Sequence, residues 1–124
     1  MANSTTVQPT TTWRAILGAV LADLRREAGR QQADVAAACG LQQAAWSKLE
    51  RGATAASVEV MVLAAEALGT TPSAVLARAE AVTALAEARG VLVERRGANA
   101  SAMGLLGAQA LAALVAAAGE AHTP

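Results

Sequence analysis

Gln42, Gln43, Ser47 and Lys48 carry hydrogen-bonding groups within one short stretch, and helical spacing gathers them on the side opposite the apolar Trp46 and Leu49. A primary amide offers a donor and an acceptor in one plane, a pair that matches the N6 and N7 edge of adenine. An ammonium suits guanine or a phosphate. This is recognition chemistry and not bond-breaking chemistry. The chain has one His, His122 in the terminal tail, one Cys, Cys39, and no phosphate-binding glycine motif, so the usual nucleophile and base sets of an enzyme are missing. A single cysteine also excludes an intrachain disulfide and a zinc site built from several thiolates. No metal and no cofactor is expected.

The elements that must position these groups are short. Gln31 to Ala38 has the composition of a helix, Gly40 can take the positive φ of a sharp reversal, and Leu41 caps the corner. Gln42 to Arg51 reads as a second helix, stopped by Gly52. Two short helices about a glycine-containing turn, the second presenting amides and a cation outward, is the layout of a DNA-reading helix-turn-helix.

The rest of the chain supplies a frame. Of its 124 residues, 54% are hydrophobic but only 2% are aromatic, with no Phe or Tyr, so the core must be Ala, Leu and Val. That composition favours packed helices over sheets. Residues 1–11, rich in Ser, Thr, Asn and Gln, read as a flexible arm. Thr12 caps a helix to about Ala28 in which Trp13, Ile16, Leu17, Val20, Leu21 and Leu24 recur at helical spacing. Ser57 caps a fourth helix with Val58, Met61, Val62, Ala65 and Leu68 as its buried stripe; Thr70 and Thr71 offer caps for a fifth, which Pro72 opens. The fold class predicted is all-α: a five-helix DNA-binding domain over 12–80, then an extension over 81–124.

In that extension Glu80 to Arg89 continues as helix, and VLVERR has the β-branched character of a short strand. A lone strand needs a partner, and the same strand of a second copy is the expected one. Ser101 caps a last helix, Ala102 to Ala118, apolar nearly all the way round and therefore buried. A second subunit is the expected place, which makes Val91, Val93, Leu105, Leu106, Leu111 and Leu114 the dimerisation residues; the alternative is that the helix folds back on its own domain. The apolar stretch is short for a membrane span, no secretory signal is read at the N-terminus, and a cytoplasmic location is expected.

From about Leu17 to Leu76 the chain resembles the lambda-repressor-like family of phage repressors and xenobiotic-response-element regulators. The resemblance rests on Leu24 to Gly29 at the end of the first helix, and on Gln32, Val35 and Ala36 in the second. Gly40 and Leu41 match the turn, Ser47 to Gly52 the end of the recognition helix, and Leu63, Ala64, Ala67, Leu68 and Gly69 the fourth helix. It implies double-stranded DNA as partner. Gln43, Ala44, Ser47 and Lys48 would meet bases, and Gln32, Gln42 and Arg51 would meet phosphates. It also implies an ion pair between Arg25 and Glu50, and a core position for Trp46.

One departure has a consequence. The loop Ala53 to Ala56 carries no cation where relatives place them, and cations and anions balance between residues 13 and 80, as they do over the whole chain. One domain should bind DNA weakly, so a useful affinity needs two linked domains. The leading expectation is a dimeric, sequence-specific transcriptional regulator acting as a repressor. The alternative is a protein-interaction module, such as an antitoxin or adaptor, whose apolar last helix binds a protein partner.

Overall fold

Thr12 ends one element and starts the next. In the computed structural model, which describes residues 7–96 and 104–122, it closes the strand β1 (Thr10–Thr12), and its Oγ1 accepts the Ala15 N–H at 3.1 Å to cap helix α1 (Trp13–Glu27). Then follow α2 (Gln32–Ala38), α3 (Gln43–Glu50), α4 (Val58–Ala67), α5 (Pro72–Ala88), the strand β2 (Leu92–Glu94) and α6 (Ala108–His122). The predicted caps are in place: Ser57 Oγ and Thr71 Oγ1 accept from Val60 and Ala74 N–H, and Pro72 opens α5. The all-α domain expected from the sequence is therefore present, with a two-stranded ribbon and a sixth helix added to it.

Helix α1 is the central pillar. Its Ile16, Val20 and Leu21 are fully buried and join Val35 of α2, Trp46 of α3, Ala64 and Ala65 of α4, and Val75, Ala79 and Val82 of α5. Aliphatic burial of this kind contributes roughly 1.5–3 kcal/mol for each large side chain. Gly18 lets α1 approach the end of α3 so closely that a β-carbon there would collide with the Leu49 and Glu50 carbonyl oxygens.

Several expectations are corrected. The extension is not held by a second copy's strand: β2 pairs in parallel with β1 of the same chain, Thr10 opposite Leu92, Thr11 opposite Val93 and Thr12 opposite Glu94. Thr10 and Thr11, expected in a flexible arm, are buried in that strand. Their β-branched side chains suit a strand even though their hydroxyls suit a coil, and the first property wins once a partner is available. The helix expected to continue from Glu80 to Arg89 does so, as one element with the residues from Pro72 onward and with no Gly or Pro to interrupt it before Ala88.

The last helix begins at Ala108, not Ala102; Ser101, Ala102 and Met103 lie outside the described residues. Gly104 is needed instead for a close pass over the Gln8 carbonyl, where Thr10 N–H donates to Gly104 O at 2.6 Å and Leu106 N–H to Thr10 O at 2.8 Å. Helix α6 then packs on α1 and α5 of its own chain, burying Leu111, Leu114, Val115 and Ala118. Val91 and Val93 are buried too, so four of the six expected dimerisation residues are spent inside the chain. Leu106 is half-buried, and only Leu105 stays exposed. In α4 the expected stripe holds in part: Ala65 is buried and Met61 and Leu68 pack against the core, but Ala64 joins them while Val58 is 74% exposed and Val62 is at the surface. That helix is apolar on most sides, so periodicity could not choose its inner face. No single helix among the described residues is long and apolar enough to cross a membrane.

Candidate nucleic-acid interface

The turn between α2 and α3 is built by hydrogen bonds that end one helix and aim the next. Gly40, with φ of 69°, donates to Ala37 O at 3.1 Å, and Leu41 N–H reaches back to Ala36 O at 2.8 Å. At the start of α2, Asp34 accepts the Gln31 N–H at 3.3 Å. Helix α3 then leaves Gln42 with extended backbone and an exposed side chain that makes no cap bond. Gln42, Gln43, Ala44 and Lys48 are exposed; Ser47 is half-buried and Arg51 is exposed, the Arg51 Nη1 donating to Ser47 Oγ at 2.6 Å.

The opposite side of α3 is fixed. Trp46 is wholly buried, as a core anchor should be, and Leu49 lies beside it. Glu50 collects the rest: its Oε2 accepts from Arg25 Nε at 2.6 Å and from the Trp46 indole N–H, and its Oε1 accepts from Arg25 Nη2 at 3.1 Å and Gln32 Nε2 at 2.8 Å. The resemblance implied the pairing of Arg25 with Glu50, and the structure contains it, with the carboxylate side chain only 5% exposed. Burial pushes the Glu50 carboxyl up, but the bonds from Arg25, Gln32 and Trp46 outweigh it and hold the group below its ordinary range; the same pairing raises Arg25. The first, third and second helices thereby meet at one carboxylate.

Two members of this cluster were not foreseen in that role. Trp46 and Glu50 are four apart on one helix, which is the spacing that lets the indole reach the carboxylate. Gln32 was expected to meet a phosphate; its amide nitrogen is shared with Glu50, leaving a second N–H for another acceptor. Arg26, Arg30, Lys48 and Arg51 form no ion pair among the described residues, whereas Arg78 is tied to Asp23 and Glu27, and Arg95 to Glu87. Arg14, Arg89 and Arg96 are likewise without an ion pair, so of the cations left unpaired among the described residues Arg26, Arg30, Lys48 and Arg51 are those near α2 and α3, where a polyanion would be met. Cys39 is buried, which pushes its thiol up, and its Sγ donates to Val60 O at 3.8 Å. Among the described residues no cluster of His, Cys, Asp or Glu could hold a metal.

A buried α1, a glycine turn and an α3 with one anchored and one open side define a helix-turn-helix domain of the class that binds DNA. Residues 16–79 match the helix-turn-helix domain family, and the chain belongs to it. The chain is similar to a crystal structure of the clp gene regulator ClgR from Corynebacterium glutamicum, at 32% identity and a TM-score of 0.60, over 62% of this chain and 82% of that one. A second crystal structure of ClgR from C. glutamicum matches at 32% identity and a TM-score of 0.53, over 55% of this chain and 88% of that one. A search of curated proteins returns no match.

Proposed function

We propose that this helix-turn-helix protein is a sequence-specific transcriptional repressor that binds an inverted repeat as a homodimer. The observation that carries the reading is the two-sidedness of α3: Trp46, Leu49 and Glu50 fix its inner side while Gln42, Gln43, Ala44 and Lys48 stand free on the outer side. In this reading Gln43, Ala44, Ser47 and Lys48 meet base edges in the major groove. Gln32, Gln42 and Arg51 meet phosphates and set the register. The similarity to a clp gene regulator supports control of transcription as the outcome.

Dimerisation follows from energetics. With no net charge, a single domain gains little from counterion release, and two linked recognition helices about 34 Å apart recover affinity through effective concentration. With Leu111 and Leu114 inside the chain, the two-fold contact falls to apolar side chains left outside, of which Val58, Val62 and Leu63 of α4 form the largest group. A dimer spanning two grooves of a promoter excludes polymerase, which is repression. The same burial weakens the alternative of a partner-binding last helix. The protein acts in the cytoplasm and performs no catalysis in this reading.

In vitro selection from a random duplex pool at near-physiological salt, with sedimentation of the protein alone, tests the proposal. Enrichment of an inverted repeat by a dimeric protein is the expected result. A folded protein that enriches no sequence overturns it.

A further inference from the structure

A cleft of about 580 Å³ lies between α6, the side of α1 and the end of α3. Apolar side chains make much of its lining, Ala19 and Ala22 from α1 together with Leu106, Leu111 and the exposed Ala112. Volume and lining both match a site for a small organic molecule. Arg26 and Arg51 also line it, and neither guanidinium has a carboxylate partner among the described residues, although Arg51 Nη1 donates to Ser47 Oγ at 2.6 Å. The carboxylates that also reach the cleft are already engaged, Asp23 by Arg78 at 2.7 Å and Glu50 by Arg25. A largely apolar lining that also carries two cations without carboxylate partners suits a molecule with an apolar body and an anionic group.

We infer that this cleft binds a small amphipathic organic acid, its carboxylate on Arg26 and Arg51 and its hydrocarbon body between α1 and α6. Binding has a consequence for DNA. Arg51 is the phosphate contact assigned above, and Ser47 and Gln32 also line the cleft, so an acid seated there withdraws groups that the duplex uses. That coupling rests on the DNA-binding reading; occupation of the cleft does not.

Decanoate, below its micellar concentration, is the probe, with decanol as its uncharged counterpart, and calorimetry on the full chain is the measurement. Saturable binding of decanoate at one site is expected, about tenfold weaker in Arg26→Ala and abolished in Ala112→Trp, with decanol at least about tenfold weaker than decanoate. Ala112 is exposed, so the bulky variant keeps the fold, and circular dichroism verifies this for both. Absence of saturable binding, equal binding of decanol, or affinities unchanged in both variants overturns the site. A duplex-binding titration then separates the two ideas. Weaker duplex binding with decanoate present supports the coupling, and unchanged duplex affinity overturns it. Decanoate binding by a protein that selects no duplex supports the cleft and overturns the DNA reading.

Discussion

Arg25 and Glu50 meet twice, Nε to Oε2 at 2.6 Å and Nη2 to Oε1 at 3.1 Å, across 25 residues of sequence. The pair joins the last turn of α1 to the last residue of α3, and both side chains are nearly buried. Removing one charge strands the other. Arg25→Met should therefore destabilise the fold by about 3–5 kcal/mol, more than the double replacement Arg25→Met with Glu50→Gln, which leaves no uncompensated charge and keeps an acceptor for the Trp46 indole. Urea midpoints of the two variants measure the difference; a double variant no more stable than the single one would mean that the pair is not coupled.

The same carboxylate sets an acid limit. The Glu50 pKa is lower in the folded protein than its ordinary value of 4.5, so the folded state binds the proton less readily than the unfolded one. Its contribution is complete above about pH 4.5 and is lost as pH falls through the lowered folded value. Stability followed from pH 7 to pH 2 should fall in that acid window, and Glu50→Gln, less stable at pH 7, should show a shallower fall. Parallel acid limbs in the two proteins would assign the loss to other carboxylates.

Two glycines make opposite predictions. At Gly18 a β-carbon meets the carbonyls of Leu49 and Glu50, backbone that cannot swing aside, so Gly18→Ala should cost about 1–3 kcal/mol and tilt α3 away from α1. Gly119 lies within α6 and an added β-carbon finds its nearest neighbour, an Arg78 nitrogen, at 3.9 Å. Gly119→Ala should stabilise by about 0.5–1 kcal/mol through helix propensity. Thermal midpoints of both variants check the signs.

Thr11 is wholly buried in β1 and its Oγ1 has no hydrogen-bond partner among the described residues, while the buried Thr83 hydroxyl donates to Ala79 O at 2.8 Å. Thr11→Val keeps the shape and removes an unsatisfied hydroxyl, and should stabilise by about 1 kcal/mol. Thr83→Val gives up a bond that is made and should be neutral or mildly destabilising. Chemical denaturation of the two isosteric variants decides this.

That contrast shows where the sequence was readable. Caps and stops are local, so Thr12, Ser57, Thr71, Pro72, Gly40 and Gly52 announced the helices within a residue or two, and the spacing of Trp46 and Leu49 gave α3 its inner face. The pairing of β1 with β2 joins residues some eighty positions apart, and nothing in a run of three threonines names its partner. The return of α6 onto α1 and α5 was hidden for a different reason: an apolar helix demands burial but does not say against what. The Glu50 cluster was half legible, because family spacing implied Arg25, whereas Gln32 and the Trp46 indole join only once the three helices are packed.

On DNA, the two kinds of contact assigned to α3 predict two kinds of loss. Gln43→Ala removes an amide offered to a base edge, so affinity for the selected repeat should fall by about 1–3 kcal/mol, with preference relaxed at one base pair in each half-site and little change on unrelated duplex. Arg51→Ala removes a phosphate contact, so selected and unrelated duplexes should weaken alike, and the slope of log affinity against log salt should drop by about one for each subunit. Ser47→Ala removes the hydroxyl that accepts from Arg51 Nη1 at 2.6 Å but keeps the positive charge, so it should retain the salt slope while weakening the selected repeat more than the unrelated duplex. Binding titrations at several salt concentrations, on the selected repeat and on a scrambled duplex, read all three. If Gln43→Ala weakens both duplexes equally, the amide holds the backbone and sequence is read elsewhere on the outer side of α3.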